Sequence, residues 1–191
     1  MEFKINSSAV CGVIGYGSWA TALVHTIHTN RQSIWWHVRN PEVLESLKNE
    51  GRNAKYLNDI EFDRNLINAT ADINEVVANS DIIIIAAPSA YLKSFLDGLT
   101  VSLEDKFILS ATKGIIPDDY KTITEYFRDT YGLSYCQLGL ISGPSHAEEV
   151  SRNKLSYLTV ACKDKENALI IGEKFATPAV QIQYSDDIYG I

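Results

Sequence analysis

The chain has 191 residues, 46% of them hydrophobic and 21% charged, and a formal net charge of −7. Its length allows a sizeable buried core, and its composition is that of an ordinary globular protein. The negative balance argues against nucleic-acid binding, so an anionic small ligand would need a local basic site.

No apolar run approaches the ~18 residues of a membrane span and no export signal is visible, so membrane insertion and export are not expected. Cys11, Cys136 and Cys162 lie in apolar, strand-like runs without metal-ligand spacing. They read as buried, reduced thiols of a cytoplasmic protein, and no metal is expected.

Residues 8–14 form an apolar run that ends in Gly15-Tyr16-Gly17, and a helical pattern over 18–30 follows at once. A strand, a glycine turn and a helix in that order are the mark of a dinucleotide-binding fold. Gly15 permits the sharp turn, Gly17 lets backbone approach a pyrophosphate, and Ala20 lets the helix pack close to the strand. The phosphates would sit at the helix N-terminus, where free N–H groups favour anions.

A second strand covers 33–38, and Asn40-Pro41 starts a helix that stops at Gly51. Residues 52–66 are a long polar connection of the sort that often covers a site. An edge strand over 67–70 precedes Asp72-Ile73-Asn74-Glu75, which reads as a capping box. The run Ile82 to Ala87 suits a strand buried on both faces.

A helix is expected from Pro88-Ser89 to about Leu99, a strand over 106–111, a helix over 118–130 and a strand over 136–141. A strand over 155–162, a helix over 165–175 and a last strand over 180–184 complete the series. The strand–helix alternation predicts an α/β, Rossmann-type, doubly wound and mostly parallel sheet, with helices on both faces and a mixed-orientation extension at the C-terminal end. One nucleotide-binding domain over 1–191 is the expectation.

In such folds ligands sit at the carboxyl ends of the strands, which singles out the residues just after each one. Arg39 stands where an NAD-specific site carries an acid, and it could pair a 2′-phosphate, which favours NADP or dual use. Lys113 could hold a substrate phosphate or a carbonyl oxygen. Ser145-His146-Ala147-Glu148 reads as a capping box after Gly143-Pro144, and the same helix start could receive an anion. His146 could act as a base, although nothing in the sequence orients its ring. Tyr91 and Trp19 could shield a nicotinamide or simply pack.

Together the motifs Gly15-Tyr16-Gly17-Ser18-Trp19-Ala20, Arg39-Asn40-Pro41-Glu42, Tyr56-Leu57, Ala87-Pro88-Ser89, Ala111-Thr112-Lys113-Gly114 and Ser142-Gly143-Pro144-Ser145-His146-Ala147-Glu148 resemble the bacterial-type NAD(P)-dependent glycerol-3-phosphate dehydrogenases along essentially the whole chain. The resemblance implies hydride transfer between NAD(P)H and dihydroxyacetone phosphate, giving sn-glycerol 3-phosphate for phospholipid synthesis. It assigns Ser18, Trp19, Arg39, Lys113 and Ala147 to the cofactor, and Lys113, Gly143 and Ser145 to the phosphorylated substrate. It places Tyr91 near the nicotinamide.

The family usually has glycine at Ala20 and often phenylalanine at His146. Its general acid/base lysine belongs to an all-helical C-terminal domain, expected to start past Ile191 and absent here. The expectation is a chain that binds cofactor without turnover, homodimeric in its full-length form. Two readings compete: another oxidoreductase of this fold acting on a β-hydroxy acid or ketopantoate-like substrate, and a non-enzymatic nucleotide-binding module. Lys113-Gly114 and the Gly-Pro-Ser motif speak against the first, and the second would not need Lys113 or Ser145.

Overall fold

The computed structural model describes residues 3–189; the closing Gly190-Ile191 of the sequence reading lie outside them. In chain order the elements are β1 (Cys11–Ile14), α1 (Ser18–Thr29), β2 (Ile34–His37), α2 (Pro41–Glu50), β3 (Ile67–Thr70), α3 (Ile73–Ala78), β4 (Ile82–Ile85), α4 (Leu92–Leu96), β5 (Phe107–Ser110), α5 (Ile123–Tyr131), β6 (Leu138–Ser142), α6 (Ala147–Ser151), β7 (Ser156–Cys162), α7 (Lys165–Phe175) and β8 (Val180–Ser185). They form one eight-stranded sheet in the order β3-β2-β1-β4-β5-β6-β7-β8. The pairs from β3 to β6 are parallel, β7 runs antiparallel to β6, and β8 is parallel to β7. The mixed extension is therefore present.

Alternation along the central strands sorts the core into two layers. Val13, Ile82 and Ile84 pack with Leu23, Val24 and Ile27 of α1 and with Ile171 and Phe175 of α7. Ile14, Ile83 and Ile85 pack on the other face with Val77 of α3, Leu92 and Phe95 of α4, and Ile123 and Phe127 of α5. Four consecutive β-branched residues suit β4 because both its faces are covered by helices.

Local signals set several helix ends. Asn40 Oδ1 accepts from Val43 N at 3.1 Å, Pro41 occupies the first turn, and Gly51 closes α2 at φ 68°. Four expectations need correction. Asp72 caps Asn74 N at 2.8 Å but Glu75 does not bond back, so no capping box forms. The helix expected from 118 begins at Ile123, where Thr122 and Glu125 form the box instead. The helix after Pro88 is a 3-10 turn over Ser89–Tyr91 followed by α4, which stops at Leu96. Cys136 sits half-buried in a 3-10 turn over Tyr135–Gln137, so β6 starts only at Leu138. Cys11 and Cys162 are buried in strands, and desolvation pushes both thiols up to about 12.

Candidate functional site

The glycine turn lies flush against the end of β4. Gly15 has φ +120°, and a Cβ there would stand 2.7 Å from the carbonyl carbon and oxygen of Ala86. Only glycine fits both the backbone angle and the space. Gly17 N-caps α1 at φ −74°, with open space around it. No side chain caps α1 and no acid lies in its first turn, so its N–H groups and dipole can receive an anion.

A cleft of about 410 Å³ opens beside this turn. Ser18 and Trp19 line it from α1, Ala87, Pro88 and Ser89 from beyond β4, Thr112 and Lys113 from beyond β5, and Ser145, His146 and Ala147 from the start of α6. Thr112 Oγ1 lies 3.0 Å from Ile85 O and 2.8 Å from Ala87 O, which ties the ends of β4 and β5 together at its base. A neighbouring hollow of about 230 Å³ shares Trp19, Thr112 and Lys113 and is lined also by Thr122, Thr124 and Gly143. Lys113 thus faces both spaces. It is exposed, and among the described residues it has no ion pair or hydrogen bond.

Not every singled-out residue behaves as expected. Ser145 does not cap α6. Its hydroxyl donates to Tyr157 O at 3.1 Å, and His146 is the N-cap, with no side-chain bond. The reason lies in the sheet: β6 and β7 stop pairing at Ser142–Thr159, which leaves the Tyr157 carbonyl to take the serine. Gly143 is needed for the same contact, since a Cβ would run into the Tyr157 carbonyl oxygen. His146 is exposed. Tyr91 is 62% exposed in its 3-10 turn and does not line the cleft.

Arg39 extends from the end of β2 across to α4. Its Nη1 donates to Ser94 O at 2.5 Å, and its guanidinium carbon lies 3.7 Å from the centre of the Phe95 ring. Beside it His37 is 2% exposed, with Nε2 donating to Ala71 O at 3.2 Å. Burial is the main cause that holds this imidazole down, at about 4, so it stays neutral next to the arginine.

Asn53, which the sequence reading passed over inside the polar connection, is fully buried. Its Nδ2 donates to Tyr16 O at 3.0 Å and to Thr21 Oγ1 at 2.8 Å. Its Oδ1 accepts from Lys55 N and Tyr56 N, both at 3.1 Å. The residue clamps the 52–66 segment to the middle of the glycine turn. Among the described residues no group of three or more His, Cys, Asp or Glu is placed to hold a metal ion, and no helix is long and apolar enough to cross a membrane.

A parallel sheet ordered 3-2-1-4-5-6, with a glycine turn after its first strand and a cleft at the strand ends, defines a Rossmann-type dinucleotide-binding fold. The sequence pattern of the N-terminus of NAD-dependent glycerol-3-phosphate dehydrogenase matches residues 10–168, and the chain belongs to that family. Similar curated relatives include the glycerol-3-phosphate dehydrogenase [NAD(P)+] of Macrococcus caseolyticus, 32% identical over 94% of this chain and 54% of the relative. The enzyme of the same name from Oceanobacillus iheyensis is 31% identical over 94% of this chain and 52% of its own.

The crystal structure of glycerol-3-phosphate dehydrogenase from Coxiella burnetii superposes with a TM-score of 0.82 at 22% identity, covering 95% of this chain and 55% of that one. An imine reductase from Bacillus cereus shares the fold at a TM-score of 0.64 and 14% identity, covering 94% of this chain and 55% of its own. The chain spans about half the length of the curated relatives it matches.

Proposed function

We propose that this chain forms the cofactor-binding half of an NAD(P)-dependent glycerol-3-phosphate dehydrogenase, which interconverts dihydroxyacetone phosphate and sn-glycerol 3-phosphate. The observation that carries the reading is one cleft joining the start of α1, Lys113 and the Ser145–Ala147 turn. The glycine turn and the free N-terminus of α1 receive the pyrophosphate, with Ser18, Trp19 and Ala147 around the cofactor; Tyr91, outside the cleft, is assigned to the cofactor by the family resemblance alone. Lys113, together with Gly143 and Ser145, meets the substrate phosphate, and its position between the two spaces suits contact with both ligands. The cofactor, when bound, supplies the hydride. The family resemblance puts the proton donor outside the stretch matched here, so the part assigned to this half is to bind and orient the cofactor and the substrate phosphate. Homodimer formation, a cytoplasmic location and a role in supplying phospholipid precursors belong to the same proposal and rest on the family resemblance.

NADP is favoured over NAD. Arg39 has no ion pair among the described residues, so its charge is open to a 2′-phosphate. Arg39→Ala should weaken NADPH binding by about 2 kcal/mol, the worth of a charge-assisted hydrogen bond, and NADH binding by much less. Calorimetric titration with each cofactor reads the difference. Equal loss for both would remove the 2′-phosphate argument.

A further inference from the structure

We infer that Phe95 is a specificity-determining positioning residue, which holds Arg39 in the place and plane needed to grip a 2′-phosphate; this rests on the NADP reading of Arg39 above. An arginine on an exposed strand end normally samples many rotamers, and ordering it on a ligand costs affinity. Here the ordering is built in. The guanidinium lies 3.7 Å from the Phe95 ring centre, and Nη1 is held by the Ser94 carbonyl at 2.5 Å. Nη2 makes only a 3.4 Å contact with Ser94 Oγ, and Nε has no hydrogen-bond partner among the described residues. The Nε–Nη2 edge, which is the fork that takes a phosphate bidentately, is therefore the edge left open.

The platform itself is buried and packed between other rings. Phe95 is 6% exposed. His37 stands edge-on to its ring with centroids 6.1 Å apart, and Tyr16, the middle residue of the glycine turn, packs against it at 5.9 Å. The neutral His37 adds no charge to compete with the guanidinium for the ring. One aromatic side chain thus connects the pyrophosphate turn to the arginine that reads the ribose. A leucine or methionine keeps an apolar side chain in the core, at the cost of some packing, but leaves the guanidinium without its stacking surface.

Only the ligand that carries the 2′-phosphate uses Arg39 through that fork, so the effect belongs in the ratio of NADPH to NADH affinity. Titrating the chain with NADPH and with NADH, following nicotinamide fluorescence, measures that ratio, and thermal melts check the fold of each variant. Phe95→Leu should lower the ratio about three- to tenfold, the range of a partly desolvated cation–π contact. Phe95→Met should do the same and serves if the leucine variant does not fold. Phe95→Tyr, which keeps the ring, should restore the ratio. In an Arg39→Ala background Phe95→Leu should change it no further. Equal weakening of both cofactors by Phe95→Leu and Phe95→Met, or a drop that persists without Arg39, would show Phe95 to be core packing only and overturn the inference. Should Arg39→Ala alone leave the ratio unchanged, the NADP reading fails and the inference fails with it. Should Arg39→Ala collapse the ratio while the Phe95 variants leave it intact, only the inference fails.

Discussion

Gly15→Ala is expected to lower the thermal midpoint of the chain by about 10 °C. Two costs combine. The backbone holds φ +120°, a region that an alanine occupies only under strain of about 1–3 kcal/mol. The new Cβ would also press on the Ala86 carbonyl at 2.7 Å, and relieving such overpacking costs a further ~1–3 kcal/mol. Neither the Ala86 carbonyl nor the Ala87 nitrogen, 2.8 Å away, can rotate aside, because both are main chain. At about 2–4 °C per kcal/mol for a chain of this size, the sum corresponds to the predicted shift. Gly17→Ala is the informative contrast. Its φ of −74° suits alanine and its surroundings are empty, so stability should stay within about 0.5 kcal/mol. Cofactor affinity should nonetheless fall, since the methyl group occupies the approach to the phosphates. Melting curves and cofactor titrations of the two variants separate a glycine needed by the fold from a glycine needed by the ligand.

Asn53→Ala is expected to destabilise the chain by about 3 kcal/mol, the cost of stranding buried polar groups. The amide makes four bonds and is fully buried, so its loss leaves the Tyr16 carbonyl and the Lys55 and Tyr56 N–H groups without their partner. Because Tyr16 lies inside the glycine turn, NADH and NADPH affinity should fall together. Chemical denaturation reads the first effect and titration the second. A variant with wild-type stability would show that water replaces the amide and that the clamp is dispensable.

The parts of the fold that were legible in the sequence are those dictated by short-range pattern. The isoleucine run of β4, the Asn40-Pro41 start and Gly51 stop of α2, and the glycine turn each carry their cause within a few residues. What was illegible depends on partners distant in sequence. Ser145 has a capping-box spacing, but a carbonyl on the antiparallel β7 competes for its hydroxyl. Asn53 is one asparagine in a polar connection, and nothing local marks it as buried. The strand-end position of Arg39 could be read, yet its anchor at Ser94 lies 55 positions away and its aromatic platform next to that. Phe95 itself has the spacing of an ordinary core residue on an amphipathic helix, which is also what it is.

If the strand-end cleft of this chain is a dinucleotide site, cofactor must perturb it selectively. Titration of the isotope-labelled chain with NADPH, followed by backbone amide shifts, reads this residue by residue. Saturable one-site binding is expected, with the largest shifts at Gly15 to Ala20, Arg39, Thr112 to Gly114 and His146 to Ala147, and little change along β7 and β8. The absence of saturable binding by either NADPH or NADH, or shifts centred away from those strand ends, would contradict it.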